Sequence, residues 1–166
     1  MSATATPTAW PTLEERLMLD DLLQACAAAL DEQRYDDWPG FFRDDALYRI
    51  VPKENHDLGL PLALLHCEGR GMMADRVTAI KEAAMIRPRT LRRFVTPARV
   101  LGVRDGVLEV RANVLLVETL HDQLTRIVLS GVHHDRVERH GGGMRFVERV
   151  CVYDSLMLPD SVVEPV

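Results

Sequence analysis

The second half of the chain alternates long runs rich in valine and leucine with short turn sequences, and this pattern restricts the fold strongly. Asp105-Gly106 lies between two such runs, and this dipeptide is typical of a tight β-hairpin turn. Residues 121–123 and three glycines at 141–143 separate the runs 107–120, 124–139 and 144–156, each of which is long for one strand. The pattern predicts a meander of long antiparallel strands.

The first half carries helical signals instead. Thr12 and Glu15 have the spacing of an N-terminal capping box, in which each residue hydrogen-bonds the backbone of the other. Behind them, apolar residues such as Leu19, Leu23 and Cys26 recur at helical spacing. These signals predict a helix over residues 13–33 with one apolar face.

Shorter elements connect the two halves. The sequence indicates a helix capped by Asp36 or Asp37, a strand over 46–51, a polar loop over 54–60, an extended piece over 61–67 and a third helix after Gly69 and Gly71. Helices followed by long antiparallel strands predict an α+β fold, with helices on one face of a curved sheet. Gly102 and Gly131 are candidate bends or bulges. We expect residues 1–11 to form a flexible tail and residues 12–166 a single domain.

Composition excludes several classes of function. The 166 residues carry a net charge of −5, which argues against nucleic-acid binding because phosphate binding requires a concentrated basic surface. Three cysteines (Cys26, Cys67 and Cys151) lack metal-site spacing and lie in apolar runs, so we expect buried, reduced thiols. We find no signal-peptide pattern and no apolar run as long as a membrane span, and therefore expect a cytoplasmic protein.

Residues with catalytic chemistry are scattered along the chain. We find no HExxH motif, no paired C-x-H and C-x-x-H motifs, no glycine-rich phosphate loop and no G-x-S-x-G elbow. His133 and His134 are adjacent in a predicted strand, so their side chains are expected to point to opposite faces. His66 follows an apolar run and is expected in the core, whereas His121 and His140 lie beside turns and are expected in solvent.

The last predicted strand combines an arginine with a tyrosine and an aspartate. Alternation places Arg149 and Tyr153 on one face and Asp154 on the other. A buried Asp154 would need a cationic partner, and Arg49 or Arg76 would be a natural one.

A cluster of arginines precedes and enters the first strand of the second half: Arg87, Arg89, Arg92 and Arg93. Such a cluster is compatible with a solvated surface or with docking to an acidic partner. Together with Arg49, we consider these residues candidates for a subunit interface.

Several short motifs occur in order along the chain: Trp38-Pro39 with Phe41-Phe42, Tyr48-Arg49, Glu54-Asn55, Gly59-Leu60-Pro61-Leu62, Asp75-Arg76-Val77 and Cys151-Val152-Tyr153-Asp154-Ser155 ahead of Pro159. From Leu13 to Val166 the chain thereby resembles the small (beta) subunit of Rieske-type aromatic-ring-hydroxylating oxygenases. The Glu-Asn loop, the Gly-Leu-Pro-Leu run and Asp160-Ser161-Val162 are most similar to the branch that serves salicylate 5-hydroxylase. Arg92-Arg93-Phe94 departs from the Arg-His pair that many relatives have there.

The resemblance implies an NTF2-like cone, which is a strongly bent antiparallel sheet with helices across its open side. It also implies a partner alpha subunit that holds the Rieske 2Fe-2S cluster and the mononuclear iron, in an alpha3beta3 assembly supplied by ferredoxin and reductase components. The beta subunit would then carry no cofactor and no catalytic residue. Trp38, Phe41, Phe42, Tyr48, Asp75, Arg76, Arg149, Tyr153 and Asp154 would serve as structural motif residues.

A second hypothesis also fits this fold. The same cone hosts small isomerases, dehydratases and hydrolases, whose pockets use buried acids, tyrosines or histidines. Tyr48, His66, His134 and Asp154 would be the candidates for such a pocket, and burial would shift the pKa of one of them. Fold likeness alone is a weak argument for activity, which favours the subunit hypothesis.

Overall fold

The computed structural model describes residues 10–82, 88–158 and 164–166. Most of the predicted tail (residues 1–9), Arg87 and the predicted motif at 159–162 lie outside these described residues. Seven β-strands form one sheet in the described part of the chain, and three α-helices and a 3-10 segment accompany it. The predicted α+β class is confirmed.

Helix α1 (Leu13–Asp31) begins with the predicted capping box. The Glu15 amide donates to the Thr12 hydroxyl at 3.2 Å, and the Thr12 amide donates to the Glu15 carboxylate at 2.8 Å. The helix ends two residues before the predicted boundary, because Gln33 adopts a φ of +57°, which no right-handed helix accommodates.

The segment between α1 and the long strands is more helical than predicted. It contains a 3-10 segment (Tyr35–Phe41), strand β1 (Phe42–Pro52), helix α2 (Lys53–Asp57), strand β2 (Leu65–Glu68) and helix α3 (Gly69–Glu82). The predicted polar loop over 54–60 thus begins as a short helix after Pro52, a residue that suits the position before a helix. Helix α3 also starts at Gly69 itself rather than after both glycines.

The second half forms the predicted meander. It consists of β3 (Arg89–Val95), β4 (Arg99–Arg104), β5 (Val107–Leu120), β6 (Arg126–His140) and β7 (Gly143–Tyr153). Asp105 and Gly106 both have positive φ, at 52° and 78°, which is the geometry that a two-residue hairpin turn requires. The Asp-Gly hairpin prediction is confirmed.

The strand order in the sheet is β2-β1-β7-β6-β5-β3, and β4 also pairs with β5. All pairs are antiparallel except β1 with β7, which run parallel. The chain between these two strands contains α2, β2, α3 and strands β3 to β6, which is long enough for the crossover that a parallel pair needs. Register shifts interrupt three antiparallel pairs, near Leu101, Val128 and Val147. Bulges of this kind bend strands, so they account for the curvature of the sheet.

The helices cover the inner, concave face of the sheet. Helix α1 packs against β3 and β7, and α3 packs against β1 and β2. The aromatic residues of the Trp38–Tyr48 region meet in the core that these elements enclose: Trp38 contacts Phe42 and Tyr48 edge-on, with ring centroids 5.6 and 5.0 Å apart. Phe146 of β7 adds a fourth ring, 5.0 Å from Phe42. Edge-on aromatic pairs at these distances stabilise a core beyond the area that they bury.

Gly131 has a different role from the predicted bulge. The bulges of β6 lie elsewhere, and Gly131 pairs in register with Val114 and Tyr153. A Cβ atom at this position would lie 2.3 Å from the Val152 carbonyl oxygen. Gly131 is therefore required because the β7 backbone approaches it closely. The prediction for Gly102 is confirmed, since a register shift ends there.

None of the described helices has both the length and the apolar character needed to cross a membrane.

Candidate functional site

The inner face of the sheet carries a set of buried polar side chains. Strand alternation directs five of these side chains toward the interior: Arg93 on β3, Glu118 on β5, His133 and Asp135 on β6, and Arg149 on β7. Buried charges are costly unless they are paired. The arrangement of these partners is therefore the central feature of the site.

Asp135 and Arg149 form a buried, two-pronged ion pair between β6 and β7. The guanidinium donates through Nε at 2.9 Å and through Nη2 at 2.7 Å to the two carboxylate oxygens. Burial by itself lowers the pKa of Arg149, but the adjacent Asp135 carboxylate has the larger combined effect and raises it above the ordinary value. The same guanidinium lies 4.0 Å from the centroid of the Phe146 ring and 3.8 Å from Cys26 Sγ. Phe146 and Cys26 thus also pack against the cationic partner of the pair.

The thiols behind this pair are protonated. Burial raises the pKa of Cys26 to about 11 and that of Cys151 to about 12, although the positive charge of Arg149 opposes both shifts. All three cysteines are free and buried, which confirms the prediction of buried, reduced thiols.

A second group of ion pairs lies at the β3 end of the interior. Arg93 donates from Nη1 to Asp31 of α1 at 2.7 Å, and its backbone amide donates to the same carboxylate. Arg89 donates to Glu118 at 2.8 Å and to Glu164 at 3.3 Å. Arg126 Nη2 also contacts Glu118 at 2.7 Å. These contacts tie the edge strand β3 to α1, β5 and the last residues of the chain.

Residues 164–166 lie inside the cone, and all three are buried. Arg93 donates to the Pro165 carbonyl from Nε at 3.2 Å and from Nη2 at 2.5 Å. The Tyr48 hydroxyl donates to the Val166 carbonyl at 3.2 Å and accepts from the Val166 amide at 2.7 Å. Burial raises the pKa of Tyr48 well above its usual range, so the hydroxyl stays neutral and serves both bonds.

His133 shares this interior and is only 1 % exposed. Burial, and then the positive charges of Arg149 and Arg93, lower its pKa well below the ordinary value of 6.5; the neighbouring Val166 backbone offsets this slightly. Neither ring nitrogen makes a hydrogen bond that meets normal geometry. The imidazole is therefore neutral and poorly satisfied.

The outer face of the sheet carries different chemistry. The ring of His134 stacks on His56 of α2 with centroids 5.2 Å apart, and burial together with the neighbouring His56 lowers the pKa of His134. Arg49, Glu109 and Glu148 line a shallow depression around this pair. The prediction that His133 and His134 face opposite sides is confirmed.

The four residues considered for a stand-alone enzyme do not come together. Tyr48 lies in the interior, whereas His134 lies on the outer face. His66 is exposed and 3.0 Å from Glu68, so its predicted place in the core is wrong. The apolar run before it ends at Leu65, and strand alternation turns the next side chain outward.

The expected partner of Asp154 is also wrong. Asp154 is exposed and accepts a hydrogen bond from the Ser130 hydroxyl at 3.0 Å, so it needs no arginine. On the inner face, Arg149 of β7 pairs instead with the buried carboxylate of Asp135. Of the other motif residues, Asp75 is exposed on α3, and Arg76 and Phe41 are half-buried.

The candidate interface arginines divide into two groups. Arg92 is exposed on the outer face of β3, whereas Arg49 on β1 is half-buried beside the depression. The side chain of Arg93 is only 1 % exposed, and Arg89 is occupied by two carboxylates. Arg89 and Arg93 therefore make contacts within the chain, which the sequence alone did not predict.

The described residues contain no group of three or more histidine, cysteine, aspartate or glutamate side chains arranged to hold a metal ion. The buried positions of His133, Asp135, Glu118 and residues 164–166 were not predicted from the sequence. The alternation of β6 gave one usable signal, because His133 and Asp135 are two residues apart and must share a face. No sequence signal indicated that residues 164–166 would enter the core.

Comparison with known proteins supplies the family. Residues 25–160 match the family model described as "Ring hydroxylating beta subunit". The chain is 31 % identical to the anthranilate 1,2-dioxygenase small subunit of Burkholderia cepacia, over 82 % of this chain and 85 % of that protein.

Solved structures agree on the fold. The beta subunit of a protein described as an aromatic-ring-hydroxylating dioxygenase from Novosphingobium aromaticivorans superimposes with a TM-score of 0.82 at 34 % identity, covering 91 % of this chain and 96 % of that one. A protein described as a scytalone dehydratase from the same organism reaches a TM-score of 0.67 at 15 % identity, over 90 % of this chain and 94 % of that one. The latter likeness shows the NTF2-like fold alone. The chain belongs to the family of ring-hydroxylating dioxygenase beta subunits.

Proposed function

We propose that this chain is a non-catalytic beta subunit that stabilises an alpha3beta3 terminal oxygenase. In this proposal the alpha subunit holds the Rieske cluster and the mononuclear iron, and ferredoxin and reductase components deliver electrons from NAD(P)H in the cytoplasm. The substrate would be an aromatic acid of the benzoate or salicylate type. The similarity to an anthranilate 1,2-dioxygenase small subunit supports this class, because anthranilate is an aminobenzoate.

The pairing of the buried charges is the observation that carries the proposal. Each buried carboxylate in the described part of the chain (Glu118, Asp135 and Glu164) contacts at least one arginine. A general base needs a carboxylate or imidazole that substrate can reach. Here the carboxylates are neutralised in place, and the buried imidazole of His133 has almost no exposure.

The outer face of the sheet offers the kind of surface that a subunit interface uses. Phe94, Leu115 and Val132 line a shallow groove on neighbouring strands, with Asp154 at its rim. Phe94 is 59 % exposed, and Arg92 lies two residues before it on the same face. Exposed aromatic and arginine side chains are enriched in protein interfaces. We name Phe94, Leu115 and Val132 the outer apolar patch and propose that it contacts another subunit.

Co-expression tests the proposal. The chain is produced with a large alpha subunit encoded beside its gene, and each is also produced alone. We expect the co-expressed proteins to elute as one complex near the mass of three copies of each chain, with iron and the Rieske absorbance only when the alpha subunit is present. Hydroxylation of benzoate and salicylate is then measured with reductase, ferredoxin and NADH.

Two results would contradict the proposal. One is separate elution of the two proteins when each is folded. The other is turnover of a small substrate by the isolated chain, which would favour the stand-alone enzyme instead.

A further inference from the structure

Residues 164–166 are held in the interior by side chains rather than by backbone pairing. They belong to no strand or helix, although the sheet surrounds them. The side chains of Tyr48 and Arg93 make four hydrogen bonds with the backbone of Pro165 and Val166. Recognition of backbone groups by side chains is one way in which a protein can hold a short peptide that does not join a sheet.

The contacts specify each of the three positions. Arg89 contacts the Glu164 carboxylate at 3.3 Å, and two nitrogens of Arg93 bind the Pro165 carbonyl. Tyr48 binds both the amide and the carbonyl of Val166, whose side chain packs in the main apolar core. These contacts therefore recognise three groups in order along the chain: an acidic side chain, the carbonyl of a residue without an amide hydrogen, and a small apolar side chain.

The interior also contains polar atoms that the segment satisfies incompletely or not at all. The indole Nε1 of Trp38 is buried without a hydrogen-bond partner, and the His133 ring has the Val166 backbone beside it but makes no hydrogen bond of normal geometry. Burying such groups unsatisfied costs stability. A core selected only for packing would carry apolar side chains here, so these atoms indicate capacity for a polar ligand.

We propose that the interior of the cone is a binding pocket for a short, acidic, peptide-like ligand, and that residues 164–166 occupy it as an intramolecular ligand. The ligand class is an anionic group followed by a peptide carbonyl and a small branched apolar side chain. Arg89 and Arg93 recognise the anion and the carbonyl, and Tyr48 fixes the register. This inference is independent of the proposed assembly role.

Binding in trans tests the pocket directly. The variant lacks residues 164–166 and carries Trp10→Phe, so that Trp38, 5.0 Å from the Tyr48 ring, is the remaining tryptophan. The probe is the peptide acetyl-Glu-Pro-Val-amide. We expect a saturable change in Trp38 fluorescence and a rise in Tm on addition of the peptide, because a ligand that binds only the folded state stabilises it.

Matched controls separate recognition from nonspecific binding. Acetyl-Lys-Pro-Val-amide should bind about tenfold more weakly or worse, since it replaces a charge-assisted contact with repulsion from Arg89 and Arg93. Tyr48→Phe in the truncated background should weaken the first peptide about tenfold, because the ring is kept and two hydrogen bonds are lost. Equal binding of both peptides, or no fluorescence change in a folded truncated variant, would overturn the proposal.

A measurement on the full chain decides the matter if the truncated variant does not fold. There the amide of Val166 should exchange with solvent about tenfold faster in Tyr48→Phe than in the unmodified chain, because its acceptor is removed. Amides in the centre of β6 should exchange as before. Unchanged exchange at Val166 would show that side chains do not hold the segment and would refute the pocket.

Discussion

Arg149 and Asp135 face each other across β7 and β6 in the interior of the cone, with Nε 2.9 Å from Oδ1 and Nη2 2.7 Å from Oδ2. Neither side chain has more than marginal contact with solvent. Each charge is therefore tolerated only because the other is present. Asp135 and Arg149 should behave as one unit when either is replaced.

Replacing Asp135 alone should destabilise the protein severely. Asp135→Ala leaves the Arg149 guanidinium buried without its carboxylate, and we expect the free energy of unfolding to fall by about 3–5 kcal/mol. The double replacement Asp135→Leu with Arg149→Met removes both charges and should cost much less than the single change. Urea denaturation followed by circular dichroism measures both.

A matched pair on the outer face provides the control. Arg136 and Glu148 belong to the same two strands, 3.7 Å apart, but their side chains are 51 % and 26 % exposed. Glu148→Ala should cost less than about 1 kcal/mol, because water solvates the remaining charge. If Asp135→Ala and Glu148→Ala lower the free energy of unfolding by similar amounts, burial does not determine how much the inner ion pair contributes to stability.

His133 should make stability depend on pH below neutrality. Its pKa in the folded protein lies well below 6.5, so the unfolded chain binds the extra proton first as the pH falls. The contribution of His133 to stability is thus constant above about pH 7 and should fall by about 1 kcal/mol per pH unit below pH 6. His133→Leu should flatten this slope in urea denaturation between pH 5 and 7.

His121 gives the comparison for this pH effect, since it is exposed at the turn between β5 and β6. In His121→Leu the free energy of unfolding should vary with pH as it does in the unmodified chain. If it varies equally with pH in His133→Leu and His121→Leu, the buried imidazole does not cause the pH dependence.

Gly131→Ala should destabilise the β6–β7 pair. The new Cβ would lie 2.3 Å from the Val152 carbonyl oxygen and 2.9 Å from Tyr153 Cα, both backbone atoms that can move only with the strand. We expect a loss of about 2 kcal/mol or more, as for other forced overpacking. Thermal unfolding compares it with Gly142→Ala, where a Cβ would meet no atom within 4 Å. A wild-type Tm for Gly131→Ala would refute the close-approach argument.

Phe94→Asp should weaken subunit association without unfolding the chain. It places a charge in the outer apolar patch, which the proposed partner would have to desolvate. We expect the fraction of the chain that co-purifies with the alpha subunit to fall several-fold, while the isolated chain keeps its Tm. Leu124→Asp is the control, because Leu124 is 91 % exposed at the turn between β5 and β6, away from the patch. Equal assembly of the two variants would exclude the patch as an interface.

Local patterns allowed much of the fold to be predicted. The Thr12 capping box, the Asp105-Gly106 turn and the long strands all depend on residues close in sequence, and the structure confirms them. The motif order allowed the family to be predicted, and the family match confirms it. The polar loop over 54–60 was mispredicted, because a single helical turn after Pro52 has too few residues to show a period.

The partner of Arg149 could not be predicted, because a bulge decides it. The β6–β7 turn pairs His140 with Gly143, and a regular hairpin from that turn would place Arg149 opposite His134. The register shift between Arg136 and Val137 adds one residue on β7, so Arg149 pairs with Asp135 instead. A shift of one residue also exchanges the faces of a strand. The buried ion pair therefore depends on a local irregularity that the turn sequence does not reveal.

The sequence by itself determined helix α1, the Asp105-Gly106 turn, the long strands and the family, since periodicity, capping and turn chemistry act over a few residues. Only the tertiary structure decided which charges share the interior and that residues 164–166 enter it beside Tyr48 and Arg93. Residues 118 positions apart, such as Tyr48 and Val166, meet because the curved sheet encloses a space, and local sequence carries no information about what fills that space.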